Sequence, residues 1–131
     1  MDEGKFLGDC LLPVRWTDLD TYAHVNNARY FDYLTEGRAL VLSHLIGPMD
    51  DIQYFMVDAR CVYLKPIDYP NNIKLKHYIL NTGRTSFTVL CNLYSEDESV
   101  HYARTECKLV CVDKNTQRPV RIPEVLLDKM K

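Results

Sequence analysis

Glycine and proline are scarce, five and six residues in 131, which excludes a collagen-like or low-complexity chain. An excess of one charge is also missing. Sixteen Lys and Arg stand against 18 Asp and Glu, a net of −2, so no basic surplus exists to hold a nucleic-acid backbone. No long apolar run occurs either. The longest, Ala39 to Ile46, is broken by Ser43 and His44 and is too short to cross a bilayer. The opening Met1-Asp2-Glu3-Gly4-Lys5 is acidic and lacks an apolar segment, so it does not read as a signal peptide. The cysteines, Cys10, Cys61, Cys91, Cys107 and Cys111, are odd in number and form no C-x-x-C pair. Neither a disulfide framework nor a zinc site is indicated. Buried thiols in a reducing cytoplasm are the expectation.

What is present is enough apolar sequence, 47%, for one core in one domain spanning 1–131. Cys10 to Trp16 reads as a strand, and Pro13 within it points to a sheet edge. A polar segment follows. After Asn26 a helical pattern runs to about Ile46. Tyr30, Leu34, Val41 and Leu45 recur near helical spacing, as do Phe31, Leu42 and Ile46, giving a broad apolar face that other elements must cover. Asn26 or Asn27 is the expected N-cap, and Gly47-Pro48 the expected stop.

The period then changes to two. Val57, Ala59, Cys61 and Tyr63 make one alternating set; Ile73, Leu75, His77 and Ile79 a second; Phe87, Val89, Cys91 and Leu93 a third; Ala103, Thr105, Cys107, Leu109 and Cys111 a fourth. Each predicts a strand with an inner and an outer face. One strand, a long helix and four strands are most economically satisfied by an antiparallel sheet curled around the helix, an α+β architecture.

The densest polar cluster, Asp18 to Asn27, lies directly before that helix. The first N–H groups of a helix lack internal partners and carry the positive end of its dipole, so they can hold a developing oxyanion. Asp20, seven residues before Asn27, can fold back to the same place. A carboxylate beside an oxyanion hole is a minimal kit for acyl hydrolysis, and His24 is a second titratable group on the loop. Asp18 reads as a turn residue, Asn26 and Asn27 as caps, and Tyr30 and Tyr33 as core or pocket wall.

The run Arg15-Trp16-Thr17-Asp18-Leu19-Asp20-Thr21-Tyr22-Ala23-His24-Val25-Asn26-Asn27-Ala28-Arg29-Tyr30 resembles the loop of hotdog-fold acyl thioesterases of the 4-hydroxybenzoyl-CoA thioesterase-like branch, in its D-x-D segment and H-V-N-N-x-x-Y run. The resemblance continues in Glu36-Gly37-Arg38, where the family commonly has E-x-A-R, in Tyr63-Leu64-Lys65-Pro66, in Gly83-Arg84-Thr85-Ser86, and in Arg118-Pro119 followed by Ile122-Pro123. The loop is also similar to that of plant acyl-carrier-protein thioesterases, whose D-x-N-x-H is matched at Asp20 and His24 but has Tyr22 in place of Asn. The resemblance implies a hotdog fold of about five strands and the hydrolysis of an acyl-CoA or acyl-ACP. It implies coenzyme A as part of the substrate, no other cofactor, and a homodimer or homotetramer in the cytoplasm. Asp20 would be the catalytic carboxylate, as general base or nucleophile, with His24 beside it. An amide near Asn27 would polarise the carbonyl. Asn26, Asn27, Tyr30 and Ser86 would line the substrate site, Ser86 from a neighbouring subunit. Lys65, Arg84 and Arg60 are candidates for the coenzyme A phosphates.

Three rivals remain. Asp18-Leu19-Asp20-Thr21 resembles the nucleophile motif of haloacid-dehalogenase-type phosphatases, which sits on a parallel α/β sheet that this pattern does not predict. A non-catalytic acyl-CoA-binding or assembly module on the same fold is the second, since fold does not fix function. A hotdog dehydratase or hydratase is the third, and the D-x-D loop argues against it.

Overall fold

The computed structural model describes residues 4–46 and 51–130. Strand β1 (Lys5–Pro13) leads through a 3₁₀ turn (Trp16–Asp18) and a second one (Asn27–Arg29) into helix α1 (Tyr30–Ile46). Strands β2 (Ile52–Tyr63), β3 (Asn72–Thr82), β4 (Ser86–Ser95) and β5 (His101–Asp113) follow, and helix α2 (Glu124–Met130) ends the chain. The strands form one sheet in the order β1-β3-β4-β5-β2, and every pairing is antiparallel. That is the hotdog arrangement, and among the described residues there is no parallel sheet for phosphatase chemistry.

Side-chain alternation places Ile73, Leu75 and Ile79, Phe87, Val89 and Leu93, and Ala103, Leu109 and Cys111 on the inner face, all buried. The helix lays Tyr30, Tyr33, Leu34, Val41 and Leu42 against them. The core has two lobes. One surrounds the start of α1, with Val25, Tyr30, Ile67, Ile73 and Leu93. The other surrounds its end, with Leu7, Val41, Ile79, Phe87 and Leu126. The opposite face of α1, with Asp32, Glu36, Leu40 and Ser43, stays exposed, so the sheet covers the helix on one side only.

Three expectations are corrected. The first strand lies earlier than Cys10 to Trp16. It leaves the sheet at Pro13, which has no N–H to donate, and Trp16 stands 70% exposed in the turn beyond. Strand β2 begins before Val57, and a register shift between Met56 and Asp58 leaves Val57 exposed; Cys61 packs against the core and Tyr63 on Tyr30, while Ala59 stays exposed. Helix α2 is additional, and it sinks Leu126 completely. The expected Gly47-Pro48 stop lies outside the described residues. All five cysteines are free thiols.

Candidate active site

The polar loop is held at both ends before it presents anything. Asp18 is buried. It accepts a 2.6 Å hydrogen bond from the Tyr33 hydroxyl and a 2.9 Å bond from Arg15 Nε. Tyr33 in turn accepts the Arg15 main-chain N–H. Burial pushes the Asp18 carboxyl upward, but the Tyr33 and Arg15 hydrogen bonds outweigh it and hold the group below its ordinary range. The loop closes where the Asn26 N–H donates to the Asp18 carbonyl at 2.8 Å, and Leu19 bridges to Val25. The Val25 N–H donates to Ile67, which fixes the loop to the segment following β2.

Within this frame Asp20 is partly buried. Its N–H donates to the His24 carbonyl. Its Oδ1 accepts the Tyr22 N–H at 2.8 Å and the His24 N–H at 3.4 Å, with Ala23 in the left-handed region, φ +62°. Such an Asx turn is what a short polar side chain forms locally. Among the described residues nothing bonds Asp20 Oδ2, so the carboxylate is oriented through one oxygen and free at the other. The His24 ring points elsewhere. Its Nε2 lies 3.4 Å from Asp68 Oδ1, a residue that no spacing in the sequence singles out.

Asn26 is the N-cap, its side chain accepting the Ala28 N–H at 2.9 Å. That bond occupies its oxygen. The Asn27 carbonyl accepts the Tyr63 hydroxyl at 2.8 Å. Among the described residues the Asn27 N–H has no protein acceptor, and it stands at the first turn of the 3₁₀–α1 helical run. Asn27, Tyr30, Tyr63, Leu64, Lys65 and Pro66 line a cleft of about 190 Å³ there. Tyr30 packs edge-on to Tyr63, ring centroids 4.8 Å apart. The structure thus brings Asn27, Tyr30 and Lys65 to one cleft at the start of the helix, and the loop that carries Asp20 is tied to the same end where the Asn26 N–H meets the Asp18 carbonyl. It does not bring Ser86 there. Ser86 adjoins Phe87, in the lobe at the far end of α1. Arg84 lies at that far end too, its carbonyl accepting the Ile122 N–H, and Arg60 lines an outer cleft with Val62, Arg104 and Glu106.

A carboxylate with one free oxygen on the loop, and an unpaired amide at the helix start that follows it, are groups that acyl hydrolysis uses, and the comparisons agree on the class. Residues 14–130 match the thioesterase-like superfamily, and the chain belongs to that family. The long-chain acyl-CoA thioesterase FadM of Escherichia coli is 27% identical over 123 residues, covering 91% of this chain and 93% of the relative. The PA2801 protein of Pseudomonas aeruginosa superposes with a TM-score of 0.90 at 28% identity, over 97% of this chain and all of that one. A 1,4-dihydroxy-2-naphthoyl-CoA thioesterase from Synechocystis shares the fold, with a TM-score of 0.82 at 14% identity and 93% of each chain covered. No helix among the described residues is long and apolar enough to cross a membrane.

Proposed function

We propose that this chain hydrolyses an acyl-CoA thioester, with Asp20 as the catalytic carboxylate and the Asn27 N–H as oxyanion donor. What supports this reading is a half-bonded Asp20 carboxylate on the loop that leads into a helix start whose Asn27 N–H has no protein acceptor among the described residues. Asp20 takes a proton from water as the water oxygen adds to the thioester carbon, and the carbonyl oxygen gathers charge against the Asn27 N–H. Collapse breaks the C–S bond, and the thiolate takes up the proton. Direct attack by Asp20, giving a mixed anhydride that water then opens, uses the same atoms. Isotopic oxygen found in Asp20 after one turnover in labelled water marks the anhydride route, with water opening it at the aspartyl carbon. Lys65 at the cleft suits a phosphate of coenzyme A, which enters as part of the substrate. No other cofactor takes part in this scheme. An acyl-ACP would meet the same groups.

Strand β2 is an unpaired sheet edge with Phe55, Val57, Val62 and Tyr63 exposed at 60, 52, 41 and 43%. Two copies joined antiparallel along β2 would cover that edge. The two-fold axis would also carry the partner's sheet end bearing Ser86 toward this chain's helix start. This supports a homodimer, with Ser86 reaching the site in trans, as the working unit in the cytoplasm.

The test is Asp20→Asn against Asp18→Asn on an acyl-CoA panel. Asp20→Asn lowers kcat roughly 10²-fold or more with the fold intact, the range for a lost acid–base group. Equal effects of the two would refute the assignment. An acyl-CoA bound but never hydrolysed by the wild type would instead establish the non-catalytic binding module.

A further inference from the structure

From Asp20 to Val25 the bonds of the loop close mostly on the loop itself. Asp20 Oδ1 accepts the Tyr22 and His24 N–H groups, and the Asp20 N–H donates to the His24 carbonyl. These bonds give the loop its shape and leave its position open, with Tyr22 standing in solvent. Among the described residues, the polar contacts that leave this stretch go to one place. The Val25 N–H donates to the Ile67 carbonyl at 3.0 Å, and His24 Nε2 lies 3.4 Å from Asp68 Oδ1. Five residues before Asp68, the Tyr63 hydroxyl donates to the Asn27 carbonyl at 2.8 Å, across 36 positions of sequence. The segment from Tyr63 to Asp68 therefore meets the carboxylate loop at one end and the helix start at the other.

That segment is stiff and well anchored. Pro66 and Pro70 fix their own φ and restrict Lys65 and Tyr69 before them. The Leu64 and Lys65 N–H groups both donate to the Tyr102 carbonyl, at 2.8 and 3.1 Å. Farther along, Asn71 Nδ2 donates to the Tyr102 hydroxyl at 2.8 Å. Tyr102 is a buried residue of β5, and Ile67, between these two anchor points, is fully buried. One strand residue thus pins the segment at two places while the core holds its middle. The Tyr63 ring is seated edge-on against Tyr30, which leaves its hydroxyl aimed at the first turn of the helical run.

Resting on the thioesterase reading above, we propose that this segment is a brace that fixes where the Asp20 carboxylate and the Asn27 amide stand, with Tyr63 and Asp68 as its positioning residues. Tyr63 holds Asn27 by its carbonyl and so steadies the N–H of the same residue. Asp68 acts through His24: it holds the ring, and the His24 main chain holds Asp20. Neither residue takes part in the proton transfer. A carboxylate and an oxyanion donor serve a reaction only when both are aimed at one carbonyl. Losing either hold therefore raises the barrier and leaves substrate binding in place. The His24 and Asp68 side chains are 41% and 76% exposed, so their pairing is weak and the effect is several-fold, far short of losing Asp20 itself.

The experiment measures kcat and KM over an acyl-CoA panel, and amide hydrogen exchange without substrate. The variants are Tyr63→Phe, Asp68→Ala, Asp68→Glu, His24→Ala, and His24→Ala combined with Asp68→Ala. Tyr63→Phe and Asp68→Ala are each expected to lower kcat about fivefold at unchanged KM. Asp68→Glu keeps a carboxylate and loses less. Amides from Asn27 to Tyr30 exchange several-fold faster in Tyr63→Phe, and those from Asp20 to Val25 in Asp68→Ala, while β3, β4 and β5 keep their rates. Added to His24→Ala, Asp68→Ala costs nothing further, because its route runs through that ring. Unchanged kcat and unchanged exchange in Tyr63→Phe and Asp68→Ala overturn the proposal. Faster exchange throughout the sheet also overturns it, since that is a general loss of stability. A full Asp68→Ala effect in the His24→Ala background removes the route through the ring and overturns the role of Asp68. If the wild type hydrolyses no acyl-CoA, yet the loop and helix-start amides loosen selectively in the variants, the brace stands and the thioesterase reading fails.

Discussion

Replacing Tyr33 by Phe removes one oxygen from the clamp behind the loop that carries Asp20, and the consequences follow from the geometry. The hydroxyl lies 2.6 Å from Asp18 Oδ2 and accepts the Arg15 N–H at 3.1 Å. Both Tyr33 and Asp18 are buried, 2% and 7% exposed, so water cannot readily replace the lost donor. A hydrogen bond to a charged group contributes about 1.5–3 kcal/mol. The loss of the second bond adds less, because Arg15 is exposed and water can serve its N–H. The ring itself and its contact with the Arg15 guanidinium, 5.1 Å from the centroid, survive in Phe. The expected loss is therefore about 2–3 kcal/mol at pH 7 by urea unfolding, or roughly 6–15 °C in Tm for a chain of this size. The effect has a pH signature. The Tyr33 and Arg15 hydrogen bonds outweigh burial and hold the folded Asp18 carboxyl below its ordinary value, so its contribution is present above the unfolded pKa and disappears as pH falls through the lower folded one. The stability difference between wild type and Tyr33→Phe should be full at pH 7 and shrink below pH about 4. Turnover should also fall beyond what the unfolded fraction explains, since Asp18 fixes the loop that carries Asp20. A loss under about 0.5 kcal/mol at pH 7, or a difference that grows with acid, would refute the clamp.

His24→Ala is expected to lower kcat less than Asp20→Asn, because its ring faces Asp68 and not the Asp20 carboxylate. Equal losses, together with a missing limb of the pH–rate profile near the imidazole range, would make it an essential base. Phe55→Lys places a charge on the exposed β2 edge and should shift sedimentation from dimer toward the 15.3 kDa chain with loss of activity. A fully active wild-type monomer would sink both edge pairing and the trans placement of Ser86.

Much of this molecule can be read from periodicity. Alternation over Ile73–Ile79, Phe87–Leu93 and Ala103–Cys111 assigned the inner face correctly, because each strand packs one face and a period of two admits one solution. The α1 pattern, the Asn26 cap and the edge position of Pro13 are equally local, set by side-chain spacing, a short polar oxygen and a missing N–H. The D-x-D loop and the unpaired amide at the helix start behind it are legible for the same reason: helix ends have unpaired amides whatever surrounds them. Where the alternation misled, at Val57, a bulge between Met56 and Asp58 had shifted the register, and bulges depend on the partner strand.

Other features belong to the tertiary structure alone. That Asp18 is a buried, doubly bonded anchor while Asp20 keeps a free oxygen depends on Tyr33, fifteen residues on in the helix. That His24 faces Asp68 depends on a loop after β2. Ser86 lies at the wrong end of its own chain, which only strand order reveals. His77 fitted the sequence pattern as one more inner-face residue; that Gly37 lies over it and Arg38 beside it depends on where α1 packs on the sheet. Sequence spacing determines which way a side chain faces within its own element. What it meets on that side is decided by the packing of elements far apart in the chain.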